Sequence, residues 1–353
     1  MIDVSCFPAE LTADPRLHAA LATDHTLAAG MFGLMAGDIL GVPYQHTTSA
    51  QMPPRALIRA VAPHGFDVAH RGAPPGLWSD DTAHAFCLLQ SLLAHDGLDL
   101  ADLGRRLHAW LHRGLNAPRR MVTDVGSQTV TAINRLHMGW PAHLAGPREA
   151  THLGNGALMR VLPLALWHRG ADDELAWLAA RQSLVTHGHP LSQACCAMYC
   201  LWVRERIVQP AGAWHRAAAN LRSIARRPPP AGMPVEDGAL LPWRVIDQLI
   251  HPRNRRRLTS NGKVLETLWC ARIAVETADS ALGAARIAAA FGGDTDTAAA
   301  VATGAWCAAA TDIDPTTWEL PHLGAPVPRM FRQAMRFVPV PAVPWEEVAR
   351  VLQ

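Results

Sequence analysis

The chain has 353 residues, of which 49% are apolar and 18% charged, so it can bury a substantial core and is not a disordered polymer. Its formal net charge is only +2, which gives no electrostatic reason to expect binding to nucleic acid or to an anionic membrane. The prevalence of Ala and Leu, with only two tyrosines, favours helices over sheets.

The N-terminus is predicted to be an extension rather than part of the core. Residues 1–25 contain Pro8 and Pro15 and show little apolar periodicity. The next stretch, Thr26–Leu40, is apolar with interspersed glycines and predicts a closely packed helix. We therefore expect an extension at 1–25 and a single domain at 26–353.

A long loop is predicted next, followed by a series of helices. Residues 42–77 contain six prolines, and loops of this length in compact domains are usually functional or disordered. Beyond them no run shows sustained period-2 alternation, so the expected fold class is all-α. The predicted helices cover 80–95, 99–114, 123–137, 156–169, 172–185, 190–207, 213–226, 239–251, 263–278, 280–291, 295–311 and 345–352.

An insert rich in Arg and Pro is predicted at about residues 222–257. Its basic run Arg253–Arg257 is short, and acidic residues elsewhere balance its charge, which favours a solvated loop over a nucleic-acid site. The longest apolar run, Ala298–Ala310, falls short of the roughly 20 residues that span a bilayer. We expect a buried helix there, and neither a membrane nor a nucleic-acid partner.

Cysteine usage indicates a reducing compartment. The seven cysteines are odd in number and include no Cys-x-x-Cys pair, so buried free thiols are favoured over a zinc site. The segment Met1–Ser5 lacks the basic start and apolar core of a signal peptide. The expected location is the cytoplasm.

The first motif with possible chemistry is Ser79-Asp80-Asp81, placed at the start of a predicted helix. Two adjacent carboxylates and a hydroxyl could hold a divalent cation. The same residue types are also favoured at helix N-caps, where they satisfy free amides and the helix dipole. For this motif alone both interpretations stay open.

The second motif, Asp294-Thr295-Asp296-Thr297, follows Gly292-Gly293 between two Ala-rich stretches that should be buried. Carboxylates between buried helices are costly without partners, and a cation is the obvious partner. The all-oxygen set suits Mg²⁺, Mn²⁺ or Ca²⁺ rather than zinc or copper. The alternative is a capped turn between two helices.

Three further polar segments carry weaker signals. Gly154-Asn155-Gly156 precedes a predicted helix and could cradle a phosphate with its backbone amides, although it is also an ordinary turn. Thr186-His187 ends a predicted helix, where a single histidine is more often structural. Asp124 lies in an acidic turn with Ser127 and could equally be a cap.

In this order, the motifs resemble those of the ADP-ribosylglycohydrolase family, which includes dinitrogenase-reductase-activating glycohydrolases and ADP-ribosylarginine hydrolases. The resemblance runs from about Ala28 to Ala310, and Asp124-Val125-Gly126 matches the family's Asp-Ile-Gly turn. It implies a compact single-domain all-α fold whose cleft holds two Mg²⁺ or Mn²⁺ ions. The implied reaction removes ADP-ribose from modified proteins, and the expected linkage is the N-glycosidic bond to arginine.

Carried over residue by residue, the resemblance also implies roles for individual side chains. The implied metal ligands are Ser79, Asp80, Asp81, Asp294, Asp296 and Thr297. The implied contacts to ADP-ribose are Gln45, Ser127, Gly154, Asn155, Gly156 and His187. The candidates for general base are Asp80 and Asp124.

Gln45 departs from the family pattern, which usually has Glu at this position. A glutamine keeps an acceptor oxygen but cannot act as a base at neutral pH. We expect activity to survive through Asp80 and Asp124. Ser79, where Thr is commoner, keeps the metal-binding hydroxyl.

A second hypothesis comes from a different functional class. The chain could be an immunity protein that neutralises an ADP-ribosyltransferase toxin by occlusion. Residues 1–25 would then enter the toxin's active site, with or without hydrolysis, and the insert at about 222–257 offers a second candidate surface.

Overall fold

The computed structural model describes residues 2–71, 73–234, 239, 241–250 and 258–321. Over these ranges the chain forms fifteen α-helices, five short 3-10 helices and no β-strand, which confirms the all-α prediction. In chain order, α1 to α15 are Ala9–Thr12, Pro15–Thr23, His25–Gly41, Asp80–His95, Leu100–Arg113, Ser127–His137, Ala142–Ala145, Leu162–Trp167, Asp172–Ser183, Pro190–Val208, Ala213–Ile224, Trp243–Ile250, Val264–Thr277, Ala281–Ala289 and Thr295–Ala308.

Helix α3 runs through the centre of the protein and packs lengthwise against α15. A methyl group on Gly33 would lie 2.6 Å from Cys307 Cβ, and one on Gly41 would collide with the backbone of Asp296. Because no side chain separates them there, the two backbones approach closely. This packing places the acidic start of α15 beside the end of α3.

The other helices surround this pair. Helices α4 and α8 pack on α3, with α5 and then α6 outside α4, while α13 and α14 cover α15. Helix α10 contacts α8, α9, α11 and α13. Among the described residues one stretch, His25–Tyr44, is long and apolar enough to cross a membrane, and 83% of it is buried inside the protein.

Residues 2–24 lie on the core instead of extending from it. Phe7 packs edge-on against Phe32 and Phe86, with ring centroids 6.3 and 6.1 Å away. Leu17 and Leu21, one helical turn apart on α2, are buried. The prolines that suggested an irregular segment stand at helix starts, where a proline costs no hydrogen bond. A domain boundary at residue 25 stays a prediction.

Three helices begin at least four residues later than the sequence patterns predict, and one of them is α12, which begins at Trp243 rather than near 239. Helix α6 begins at Ser127 rather than near 123, because Asp124 adopts a left-handed φ of 51° that no α-helix contains. Helix α8 begins at Leu162 rather than near 156, because the preceding residues form turns and Pro163 sits in its first turn.

Two sequence predictions fall on residues outside the described ranges. They are the basic run of the insert, at 253–257, and the short helix at 345–352.

Candidate metal centre and substrate cleft

A cavity of about 340 Å³ opens where the N-termini of α4, α6 and α15 converge. Three of the predicted site residues lie beneath its lining, Ser79, Asp81 and Asp296. The predicted residues that line it are Gln45, Asp80, Asp124, Ser127, Gly154, Asn155, Gly156, His187, Asp294 and Thr297. The structure therefore brings the whole predicted set together, while the role of each residue stays a prediction.

The floor of the cavity joins the two acidic motifs. Ser79 caps α4: its Oγ accepts from the Asp81 backbone N–H and lies 3.1 Å from Asp81 Oδ2. Thr297 Oγ1, in the first turn of α15, lies 3.2 Å from Asp81 Oδ2 and 3.0 Å from Asp294 Oδ1. The motifs are far apart in sequence but share hydroxyl–carboxylate contacts.

Asp38, which is not among the site residues predicted from the sequence, supports this floor from α3. Its carboxylate is fully buried and accepts hydrogen bonds from the backbone N–H groups of Ser79 and Thr82, at 3.0 Å each. Thr82 Oγ1 donates a further bond of 2.6 Å. Burial raises the pKa of Asp38 to about 6. Asp38 therefore fixes the start of α4, where the first motif lies.

The carboxylates form two groups that share Asp296. Oxygens of Asp38, Asp81 and Asp296 lie within 4.8 Å of one another, and so do oxygens of Asp124, Asp294 and Asp296. Burial, and then the neighbouring carboxylates, raise the pKa of Asp81 and of Asp296 well above the ordinary value. Carboxylates this close together repel one another unless a cation binds between them or some of them are protonated.

A divalent cation fits this donor set. Asp81 Oδ1 and Asp296 Oδ1 are buried and have no hydrogen-bond partner, in each case beside carboxylates and hydroxyls. Unpartnered buried carboxylate oxygens are costly, and hard cations such as Mg²⁺ or Mn²⁺ take oxygen ligands of this kind. With Ser79 and Thr297, the residues present can hold the metal ions that the sequence predicts.

Asp80 and Asp124 both line the cavity, and the charge of each is affected by the carboxylates around it. The Asp124 carboxylate accepts a short hydrogen bond from the Gln45 amide. Burial, and then the charge of Asp124, raise the pKa of Asp80 well above its ordinary value. For Asp124 the pKa is raised by burial and then by Asp294. A carboxylate with a raised pKa is a better base near neutral pH.

The loop at Gly154–Gly156 is hydrogen-bonded both to the second acidic motif and to α6. Asn155 Nδ2 donates to Asp294 Oδ2 at 2.6 Å and to Thr267 Oγ1 at 3.0 Å. The Gly154 backbone N–H donates to Gln128 Oε1 at 2.6 Å. A methyl group on Gly156 would lie 2.7 Å from His187 Cε1, so the loop needs a glycine there.

His187 is held by a buried network of side chains. Arg160 Nη1 donates to Thr186 Oγ1 at 2.6 Å, and that hydroxyl lies 2.8 Å from His187 Nδ1. The hydroxyl has one proton and two lone pairs, so it can accept from Arg160 and donate to Nδ1, and in that arrangement the ring proton resides on Nε2. Burial, and then Arg160, lower the pKa of His187 to about 3. The ring is therefore neutral, and its Nε2 lies beside the glycine loop.

The start of α6 offers donors to an anion in the cleft. Its N-cap, Gly126, has no capping side chain, and Gly126 to Thr129 line the cavity. Gln128, which is 9% exposed, has a buried Nε2 with no partner. Free amides at a helix start favour phosphate groups. Of these residues the sequence predicts only Ser127 as a site residue, because the free Gln128 amide depends on a contact with a distant loop.

Comparison with known proteins identifies the family. The family model described as ADP-ribosylglycohydrolase matches residues 21–330. The chain belongs to the ADP-ribosylglycohydrolase family. This confirms the family resemblance read from the motifs.

Named relatives lie within the same family. The chain is 28% identical over 278 residues to "ADP-ribosylarginine hydrolase Tri1" of Serratia proteamaculans, covering 76% of this chain and 67% of that protein. It is 33% identical over 174 residues to "ADP-ribosyl-[dinitrogen reductase] glycohydrolase" of Rhodospirillum rubrum, covering 49% of this chain and 55% of that protein. The chain thus spans a little over half to two thirds of these relatives' lengths.

A solved structure shares the fold. It is described as an "ADP-ribosylglycohydrolase-related protein complex" and aligns with a TM-score of 0.55 at 25% identity. The alignment covers 93% of this chain and 96% of that chain. The all-α ADP-ribosylglycohydrolase fold is therefore shared along nearly the whole length.

Proposed function

We propose that the protein hydrolyses the N-glycosidic bond between ADP-ribose and the arginine side chain of a modified protein, with divalent cations as cofactors. The observation that carries this proposal is the pair of buried, unpartnered oxygens, Asp81 Oδ1 and Asp296 Oδ1, beneath an open cleft in a chain of this family. The names of the two relatives supply the arginine linkage and the protein substrate.

In this proposal two Mg²⁺ or Mn²⁺ ions are held by the oxygens of the two acidic motifs. When bound, such ions supply Lewis acidity and fix the orientation of oxygen groups. The proposed ligands are Ser79, Asp80, Asp81, Asp294, Asp296 and Thr297.

The remaining steps fall to side chains of the cleft. Asp80 faces the cavity and is the stronger candidate for the general base, because Asp124 already accepts the Gln45 amide. The start of α6 would bind the diphosphate through its free backbone N–H groups. The Gly154–Gly156 loop, whose Gly154 and Asn155 N–H groups are already hydrogen-bonded, would line the same subsite. His187 would donate from Nε2 to a substrate oxygen.

The test is release of ADP-ribose from an arginine-modified protein in the presence of Mg²⁺ or Mn²⁺, compared with a serine-modified one. We expect Asp80→Asn and Asp296→Asn to lose more than about a hundredfold in rate. Asp279→Asn, a change of the same type at an exposed position, should retain wild-type activity. Release from serine but not arginine would refute the proposed linkage.

Neutralisation of a toxin by occlusion stays a separate hypothesis. Residues 2–24 contact the core through Phe7, Leu17 and Leu21, so their deletion would expose apolar surface and confound a binding test. The inactive Asp80→Asn variant discriminates instead. If it still blocks an ADP-ribosyltransferase, occlusion is supported; if protection is lost with hydrolysis, occlusion is wrong.

The cytoplasmic location is likewise a proposal. Six of the seven cysteines are buried and all seven are free, which supports a reducing compartment.

A further inference from the structure

The amide of Gln45 lies between two carboxylates of the metal centre. Its Nε2 donates a hydrogen bond to Asp296 Oδ2 at 3.0 Å and a second, short one to Asp124 Oδ2. Gln45 is 2% exposed, so these bonds are not shared with solvent. One N–H of the amide therefore serves each carboxylate.

His70 fixes the direction in which this amide points. Its Nε2 lies 2.8 Å from Gln45 Oε1. If the amide were flipped, its carbonyl oxygen would face two carboxylates, so the orientation is set and His70 must donate from Nε2. His70 also lines an apolar cavity of about 240 Å³, together with Ile39, Val42 and Phe66.

An N–H group cannot bind a cation, so Gln45 makes the two carboxylate groups unequal. On the side of Asp124, Asp294 and Asp296, two Oδ2 atoms are already engaged by the amide. On the side of Asp38, Asp81 and Asp296, the Asp38 carboxylate is bonded to the N-terminus of α4, but Asp81 Oδ1 has no hydrogen-bond partner, and neither has the second oxygen of the shared Asp296. A cation on the Asp124 side must compete with Gln45, while one on the Asp81 side need not.

We propose that Gln45, positioned by His70, divides the centre into one strong and one weak cation site, with the strong site on the Asp81 side. Gln45 acts as a fixed internal donor that partly replaces the second cation. The proposal rests on the proposed function only in taking these carboxylates as cation ligands. His70 is a positioning residue, because it reaches the carboxylates only through Gln45.

The test is calorimetric titration of the metal-free full-length protein with Mn²⁺. We expect two binding events in the wild type, with dissociation constants that differ by at least about tenfold. Gln45→Glu has the same shape but removes both N–H donors and adds a charge. It should tighten the weaker event by at least about tenfold and leave the stronger one within about threefold. Equal affinities in the wild type, or an unchanged weak site in Gln45→Glu, would overturn the proposal.

Three histidine variants separate positioning from folding. His70→Leu removes the donor to Gln45 and should tighten the weaker Mn²⁺ event several-fold, because the amide is no longer held against the carboxylates. His70→Gln can place an N–H where the imidazole Nε2 was and should restore wild-type behaviour. His64→Leu, at an exposed position, is the matched control. Identical Mn²⁺ affinities in the His70→Leu variant and the wild type would refute the role of His70.

The result of the Mn²⁺ titrations does not depend on whether the protein hydrolyses ADP-ribosylated arginine. Unequal Mn²⁺ sites that become similar in Gln45→Glu, without release of ADP-ribose from arginine, would support the inference and refute the proposed function. Release from arginine with two equal Mn²⁺ sites in the wild type would do the reverse.

Discussion

Replacing Asp296 with Asn should stabilise the metal-free protein, although it removes a proposed ligand. Asp296 is fully buried and belongs to both carboxylate groups, with oxygens within 4.8 Å of its neighbours. One oxygen accepts from Gln45, and the other has no partner. An asparagine keeps an acceptor for Gln45 and places an N–H₂ near the other carboxylates.

The expected magnitude follows from the separation of the charges. Two unit charges 4.8 Å apart at an effective dielectric constant of 20 repel by about 3.5 kcal/mol. Protonation of one carboxyl relieves part of this repulsion, at a free-energy cost that grows with pH. We expect metal-free Asp296→Asn to be about 2–4 kcal/mol more stable than the wild type near pH 8.

The pH dependence has a definite sign. Burial, and then Asp294, raise the pKa of Asp296 in the folded state, so the folded protein binds more protons than the unfolded chain. Stability of the wild type therefore falls as the pH rises from the ordinary Asp pKa of about 4 towards the raised value. The advantage of Asp296→Asn should be small near pH 4 and largest near pH 8.

The assay is urea unfolding in a metal chelator, repeated with excess Mg²⁺. Mg²⁺ should stabilise the wild type and have little effect on Asp296→Asn. The difference in unfolding free energy between the two proteins should therefore shrink or change sign. Asp279→Asn should track the wild type in both conditions, because that side chain is exposed. The reasoning is refuted if metal-free Asp296→Asn is the less stable protein near pH 8.

Other predictions concern the glycine loop, the N-terminus and the thiols. Gly156→Ala should weaken binding of ADP-ribose by at least about tenfold in calorimetry, because the new methyl group displaces the His187 ring. Phe7→Ala should lower the free energy of unfolding by about 3–4 kcal/mol in urea titration, because the ring is 5% exposed and packs against two others. A thiol reagent should modify only Cys6 rapidly in the native protein and all seven cysteines after denaturation, because the other six are buried.

Matched controls are available for these changes. Gly97→Ala adds a methyl group outside the cleft with only His95 O nearby, at 3.7 Å, and should bind ADP-ribose normally. Val208→Ala, at a side chain 81% exposed, should leave unfolding unchanged. Equal affinities for ADP-ribose in Gly156→Ala and in the control glycine variant would contradict the argument that a methyl group at position 156 displaces the His187 ring. A loss below about 1 kcal/mol for Phe7→Ala would show that the N-terminal residues contribute little. Rapid native modification of a second thiol would show that a second cysteine is accessible.

The regular part of the fold could be predicted from apolar periodicity and helix caps. The helix predicted from Asp80 to His95 has those bounds in the structure, since Ser79 caps it and its apolar face is continuous. The helix Pro15–Thr23 was missed, because a proline is equally a helix breaker and a good first helical residue. The local sequence pattern alone does not decide whether a proline ends a helix or begins one.

The candidate site shows the same division between local and long-range signals. Its motif residues could be predicted, because carboxylates beside buried stretches stand out. Asp38 had a usable signal, as the only acidic residue in an apolar core helix. His70 and Gln128 had none, because their significance depends on contacts with Gln45 and Gly154 that only folding creates.

Helices α3 and α15 pack closely where Gly33 and Gly41 carry no side chain, and we call this contact the seam. The seam also affects how metal ions exchange. Asp38 belongs to one helix of the seam and Asp296 to the other, and both lie among the most buried residues of the protein. Backbone amides in such a seam exchange with solvent only when the whole protein unfolds. Local opening of these helices therefore offers no route for ions, which must enter and leave through the mouth of the cleft. A bound nucleotide in that cleft would trap them, so metal release should slow sharply when ADP-ribose is present.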